Sequence, residues 1–238
     1  MSNTTLFEER IHTTSRNGSG EQRRLQVATS DYCQVLLSRL FSMGFGIGGE
    51  RRTIGFTSCV QGEGVTTVAG SMAVHAADCT CARVLAVDAN LSSPGLHNGL
   101  GIDPSRGLLD VFRGTVKVED TVQDTPNPNL SIIPAGSAKN SNHVNFDAGK
   151  MQEVVDFAAQ NFDMAIVDLP SISAPTNLPT VTSLLDGVVL VLAAEGISGD
   201  LASRYVKQLS EQGTKPIGVT LNRYREYLPR IVGHVSGQ

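Results

Sequence analysis

At 238 residues the chain is long enough for one α/β domain with a full core, or at most two small ones. A hydrophobic content of 40%, a charged content of 18% and a net charge of −4 describe a globular protein, and argue against a surface built to grip nucleic acid. No run approaches the roughly 18 apolar residues of a spanning helix, and MSNTTLFEERIHTTSRNGSGEQRR lacks the charged-then-apolar order of a signal peptide. A cytoplasmic chain with no membrane insertion of its own is expected. The four cysteines fit that compartment; Cys79 and Cys81, in CTC, lack the two-residue spacer of zinc or redox pairs, and all four read as small buried hydrophobes.

Residues 1–27 are polar and without period, and read as a disordered tail. Leu36, Leu37 and Leu40 predict an amphipathic helix over 31–41, and the glycine-rich GFGIGGERR after it reads as a flexible turn. Strand-like and helix-like segments then alternate. RTIGFTSC leads through QGEG into the helical VTTVAGSMAVHAAD, and RVLAVD is a strand. GLLDVFRG is a short helix, LSIIPAG a strand, and FDAGKMQEVVDFAAQ a helix on Met151, Val154, Val155 and Ala158. FDMAIVDLP is a strand, TNLPTVTSLL a helix with Pro179 in its first turns, DGVVLVLAA a strand, SGDLASRYVKQLSEQG a helix closed by Gly213, and KPIGVTLN the last strand.

Strands with unbroken apolar runs are buried on both faces. Alternating with helices, they predict a doubly wound, mostly parallel sheet with helices on both faces. The expected organisation is a tail over 1–27, one α/β domain over 28–228 and a short C-terminal tail over 229–238. Ligands in such sheets bind beyond the carboxyl ends of the strands. In this chain those ends carry QGEGVTT, Asp88, Pro134-Ala135-Gly136, Asp168 and Asn222.

Gly62 and Gly64, flanking Glu63, allow backbone N–H groups to turn inward around an anion. The helix opening at Val65 adds its positive end. A hydroxyl at that position, Thr66 followed by Thr67, suits Mg²⁺, and aspartates at neighbouring strand ends suit the water shell of the metal. Gly62, Glu63, Gly64, Val65, Thr66 and Thr67 therefore form a candidate phosphate loop, and Thr66, Asp88 and Asp168 a candidate Mg²⁺ set. Each has a plainer reading: glycines kept for a strand-to-helix bend, and aspartates capping turns.

The order TSCVQGEGVTT, VLAVDANLSSPGLH, IIPAG, FDMAIVDLPSI and GVTLN resembles the cytoplasmic domain of bacterial tyrosine kinases (BY-kinases). These belong to the deviant Walker A P-loop class with the MinD and ParA ATPases. The resemblance spans roughly residues 30–225. It implies a P-loop NTPase fold, ATP or ADP with Mg²⁺ as ligands, Asn222 at an adenine base, and a structural His97. It also implies an inner-membrane polysaccharide chain-length (co-polymerase) protein as partner, met through its cytoplasmic tail, and a homo-oligomer as one option; the 31–41 helix fits a neighbouring subunit or that tail no better than it fits core packing within the chain.

The departures from the family pattern fall on its chemistry. Val65 stands at the Walker lysine, and Gln61 where deviant loops often carry another lysine. Asn90 replaces the second aspartate of DAD, and Ser92 and Ser93 replace two arginines. The first helix keeps only Arg39 of the spaced arginines, and the C-terminal tyrosine cluster is reduced to Tyr224 and Tyr227. Losing a lysine–phosphate contact costs about 1.5–3 kcal/mol, roughly ten- to a hundredfold in affinity, and phosphoryl transfer suffers more. The expectation is a degenerate homologue: weak ATP or ADP binding, no catalytic set, with Asp88 the one candidate, and a regulatory or scaffold task in exopolysaccharide or capsule synthesis and export. Two alternatives stand beside it: a kinase or ATPase completed by a cation from a partner, and a MinD/ParA-like positioning switch.

Overall fold

A computed structural model describes residues 7–10, 30–137, 146–194, 196 and 198–223. Its centre is an eight-stranded sheet in the order β1-β8-β7-β2-β6-β3-β5-β4. The strands are β1 Phe7–Arg10, β2 Thr53–Ser58, β3 Val84–Asp88, β4 Gln123–Asp124, β5 Leu130–Ile133, β6 Met164–Asp168, β7 Gly187–Ala193 and β8 Pro216–Asn222. All neighbours pair in parallel except β4 with β5.

The period-2 alternation of strands divides the apolar runs between two faces. Ile54, Phe56, Val84, Ala86, Met164 and Ile166 pack under helices α1 (Ser30–Ser42) and α2 (Val65–Thr80). Leu85, Val87, Ala165, Val167 and Val188 pack under α4 (Leu108–Phe112), α5 (Ala148–Asn161) and α6 (Leu178–Thr182). A smaller cluster of Leu190, Leu192, Cys59 and Ala202 seats α7 (Gly199–Glu211). The remaining helix, α3 (Leu96–Leu100), follows β3. Each fully buried Leu, Ile or Phe side chain contributes roughly 1.5–3 kcal/mol, so the two faces together fix the parallel register. This is the doubly wound, mostly parallel architecture expected from the sequence.

The first helix buries Cys33, Leu36, Leu37 and Leu40, the i, i+3, i+4, i+7 stripe of an amphipathic helix. The glycine-rich segment after it is not a loose connector. Phe45 is buried, Arg51 N donates to the Gly44 carbonyl, and the Arg51 guanidinium donates to Met43 O at 3.2 Å and lies over the Phe45 ring.

Within the span read as a tail, Phe7–Arg10 form an edge strand, pairing with Gly218 through Leu221. Main-chain bonding to the open edge of β8 orders these four residues, and no side-chain pattern announces it. The rest of that span, the C-terminal tail, Tyr224 and Tyr227 lie outside the described residues. Of the cysteines, Cys33 and Cys59 are buried as expected, but Cys79 and Cys81 are exposed, because α2 ends at Thr80 and the chain turns outward through a left-handed Cys81. Among the described residues no helix is long and apolar enough to cross a membrane.

Candidate functional site: a phosphate loop beside a buried carboxylate pair

β2 ends at Ser58 and α2 begins at Val65, so the chain must reverse within six residues. Gly62 (φ 90°) and Gly64 (φ 94°) take the left-handed conformation that reversal needs. A Cβ on Gly64 would also run into Asn222 Nδ2, so this position is closed to any side chain. Gly64 caps α2 without a side-chain bond, which leaves the first-turn amides of Val65, Thr66 and Thr67 facing outward with no protein acceptor among the described residues. These amides and the positive end of a 16-residue helix form an anion cradle.

The side chain of Glu63 points away from that cradle. It is 2% exposed; Oε2 accepts from Val60 N and Oε1 from Ala193 N, each at 3.0 Å. Asn222 Nδ2 donates to the Glu63 carbonyl at 2.8 Å, and Asn222 Oδ1 accepts from Arg223 N. Glu63 and Asn222 thus tie the loop to the ends of β7 and β8. Sequence reasoning placed Glu63 in the loop and Asn222 at the end of the last strand, and read both as ligand contacts. The adenine position implied for Asn222 carries an amide already engaged by protein groups.

Val65, read from the sequence as standing where the Walker lysine of the resembling family falls, is 8% exposed and packs into the core with Val68 and Ala69. Residues 59–67 therefore present no cationic side chain of their own. Arg52 donates to the Phe162 carbonyl and Arg83 pairs with Asp163, both at the amino ends of strands, at the opposite edge of the sheet from the cradle.

Asp88 and Asp168 end neighbouring strands in direct register, and both are fully buried. Asp88 Oδ2 accepts from Gly95 N at 3.1 Å and Leu96 N at 3.0 Å, which holds the turn that opens α3. His97 Nδ1 stands 3.8 Å from the same oxygen. Asp88 Oδ1 and both oxygens of Asp168 have no hydrogen-bond partner. Burial, and then the Asp88 charge, hold the Asp168 carboxyl well above the usual carboxylate range; the nearby Thr66 hydroxyl acts in the opposite direction without closing a full hydrogen bond. Gly95 lies against the Thr66 methyl, so a β3 loop and the first turn of α2 meet over the pair.

Thr66, Asp88 and Asp168 are therefore brought together as the sequence suggested. Among the described residues no group of three His, Cys, Asp or Glu side chains is arranged to hold a metal alone. The orphaned oxygens, with a hydroxyl beside them, nevertheless fit a hydrated Mg²⁺ that completes its shell with water or phosphate. Asn90 follows this cluster half-buried, whereas Ser92 and Ser93 lie on the exposed side of the turn and not in the site. A cavity of about 640 Å³ elsewhere, lined by Lys117, Asp120, Glu153 and Phe157 among others, includes none of these residues.

Sheet order, left-handed loop and paired aspartates define a P-loop NTPase fold of the MinD and bacterial tyrosine-kinase type. No family model matches the chain. Tyrosine-protein kinase CpsD of Streptococcus agalactiae is 26% identical over 182 residues, 75% of this chain and 78% of that protein. The succinoglycan biosynthesis transport protein ExoP of Rhizobium meliloti is 27% identical over 74% of this chain and 23% of its own length. The kinase domain of Escherichia coli tyrosine kinase ETK superposes with a TM-score of 0.75 at 18% identity, covering 93% of this chain and 92% of that one. MinD of Pyrococcus horikoshii, solved with Mg-ADP, gives 0.63 at 26% identity over 73% and 71%. The chain is thus similar in sequence to bacterial tyrosine-protein kinases and to a succinoglycan biosynthesis transport protein.

Proposed function

We propose that this protein is a degenerate homologue of the polysaccharide tyrosine kinases, one that retains a nucleotide cradle and has lost phosphoryl transfer. On this reading it acts as a regulatory or scaffold component of exopolysaccharide or capsule synthesis and export. The observation that carries it is Val65: the first residue of α2 is turned into the core, so the loop offers backbone amides and no cation. Phosphoryl transfer depends on positioned positive charge as charge redistributes in the transition state. Amides and a helix end suffice for weak anion binding and supply little of that charge.

The free amides and the carboxylate pair support Mg²⁺-nucleotide as the ligand, with Thr66, Asp88 and Asp168 holding the metal. When bound, Mg²⁺ would screen the phosphate charge; Thr66 and the two aspartates orient it, and the left-handed glycines shape the cradle. The partner is assigned to a membrane-embedded polysaccharide chain-length protein, whose cytoplasmic tail would meet this chain. The match to a segment of a longer transport protein supports a partner of that kind.

The reading is tested by ATPase and autophosphorylation assays of the purified chain in Mg-ATP. It expects no turnover above background. Turnover comparable to that of an intact family kinase, and abolished by Thr66→Ala or Asp88→Ala, would sink it. Activity appearing only on addition of the partner tail would replace it with a kinase completed in trans.

A further inference from the structure

The segment from Met43 to Arg52 is tied down and yet holds an isoleucine outward. Gly46 N donates to Arg51 O, Arg51 N to Gly44 O and Gly49 N to Gly46 O. Phe45 is buried beneath the loop, against Gly187 at the amino end of β7. Gly46 and Gly48, on either side of Ile47, take the left-handed conformation that so tight a path requires. Ile47 is 56% exposed, and the ring of Phe41, 37% exposed, lies against Gly46. Two of the four large exposed hydrophobic side chains among the described residues therefore adjoin each other. Apolar side chains scattered singly need no explanation, but a pair held out together by bonded backbone marks a contact surface.

The rim of the patch is basic, although the chain as a whole carries a net charge of −4. Arg51 is exposed, with its guanidinium fixed by Met43 O and the Phe45 ring. Arg83 and Lys215 are exposed at the same amino-end edge of the sheet, each two strands from β2 and so about 10 Å away. Two carboxylates of that edge are engaged by their own neighbours. Asp163 Oδ2 accepts from Arg83 N, and Asp186 Oδ2 from Arg52 N, Thr53 N and Thr53 Oγ1. Glu50 is the one carboxylate of the loop itself.

We infer that this edge is a peripheral docking surface for an anionic lipid bilayer. Ile47 and Phe41 enter the headgroup layer, and Arg51, Arg83 and Lys215 face the lipid phosphates. The chain lies on the membrane and does not span it. Two apolar side chains fall far short of the roughly 800 Å² per partner that a stable protein interface buries, whereas a protruding apolar tip with a cationic rim suits a fluid anionic surface. Each basic residue near such a surface strengthens binding roughly fivefold, and burying the exposed half of Ile47 adds roughly three- to tenfold. The cradle lies at the opposite, carboxyl edge of the sheet, so it stays open to solvent when this edge is docked. The inference goes beyond the nucleotide reading and does not depend on it.

The test is co-sedimentation of the full chain with phosphatidylcholine vesicles, prepared with and without phosphatidylglycerol, at about 0.1 M and about 1 M salt. Wild type should sediment with the phosphatidylglycerol vesicles only, and less so at high salt. Ile47→Ser should bind them roughly three- to tenfold more weakly, with a melting temperature within about 2 °C of wild type, which shows that it folds. Glu50→Lys should bind at least about fivefold more tightly. Glu153→Lys, on α5 across the sheet, should bind as wild type does, because a charge more than about 10 Å from the membrane is screened. Absent or equal sedimentation with the two vesicle types overturns the inference. So does an Ile47→Ser protein that binds as tightly as wild type, or a Glu153→Lys gain as large as that of Glu50→Lys. A rise in solution mass with concentration that Ile47→Ser abolishes, with no binding to vesicles, overturns it in favour of a second copy of the chain.

Discussion

Replacing Glu63 by alanine separates the shape of the phosphate loop from its ligand chemistry. The carboxylate accepts one bond from the loop itself, at Val60 N, and one from the end of β7, at Ala193 N, both at 3.0 Å. Buried bonds to a charged acceptor contribute about 1.5–3 kcal/mol each. Val60 and Ala193 are half-buried, so water can reach their amides after truncation and the loss falls toward the lower end. The expected cost is about 2–4 kcal/mol, or roughly 5–15 °C in melting temperature for a domain of this size. Glu63→Gln keeps one acceptor and places an NH₂ against the other amide, so it should not restore full stability. Urea and thermal unfolding followed by circular dichroism measure both variants. A Glu63→Ala protein within about 0.5 kcal/mol of wild type, the usual range of an inconsequential surface change, would refute the view that this side chain ties the loop to β7.

Gly64→Ala forces a Cβ into Asn222 Nδ2 at a left-handed position, and is expected to cost about 2–4 kcal/mol and abolish ADP binding in a calorimetric titration; ADP affinity equal to wild type would contradict it. Asp186 Oδ2 accepts from Arg52 N, Thr53 N and Thr53 Oγ1. Burial alone would raise its carboxyl, but these donors and the Lys215 charge outweigh burial and hold it below the usual range. Its contribution is therefore present above the unfolded value of about 4 and is lost as pH falls through the lower folded value. The stability gap between wild type and Asp186→Asn should shrink as pH falls from about 4 through the lower folded value, and a gap that stays constant down to pH ~3 would contradict this linkage. Thiol labelling of the native chain near pH 8 should modify Cys79 and Cys81 quickly. Cys33 and Cys59 should react only on unfolding, since burial pushes their thiols up to about 11 and about 12. Equal rates at all four cysteines would contradict the burial of the first and second.

The sheet was legible because its strands are unbroken apolar runs whose alternate residues feed two separate cores, as Leu85 and Val87 do on one face and Val84 and Ala86 on the other. The strand ends were legible for the same reason: once β2, β3 and β6 are placed side by side, Thr66, Asp88 and Asp168 must converge. What escaped was side-chain direction after irregular backbone. Glu63 sits between two left-handed glycines, and only the observed turn sends its carboxylate to β7. Ser92 and Ser93 belong to a turn whose register is set by Asp88 accepting the Gly95 and Leu96 amides, a long-range bond that carries no local pattern. The edge strand Phe7–Arg10 is held by main-chain pairing to β8, to which side-chain periodicity is blind.

The central claim is that the cradle persists and its charge is gone. Calorimetric titration of Mg-ADP into wild type and Val65→Lys tests it most directly. The account predicts weak but saturable binding by the wild type and roughly ten- to a hundredfold tighter binding by the lysine variant. Tight binding by wild type that Val65→Lys leaves unchanged would contradict it, because the missing lysine would then be missing nothing.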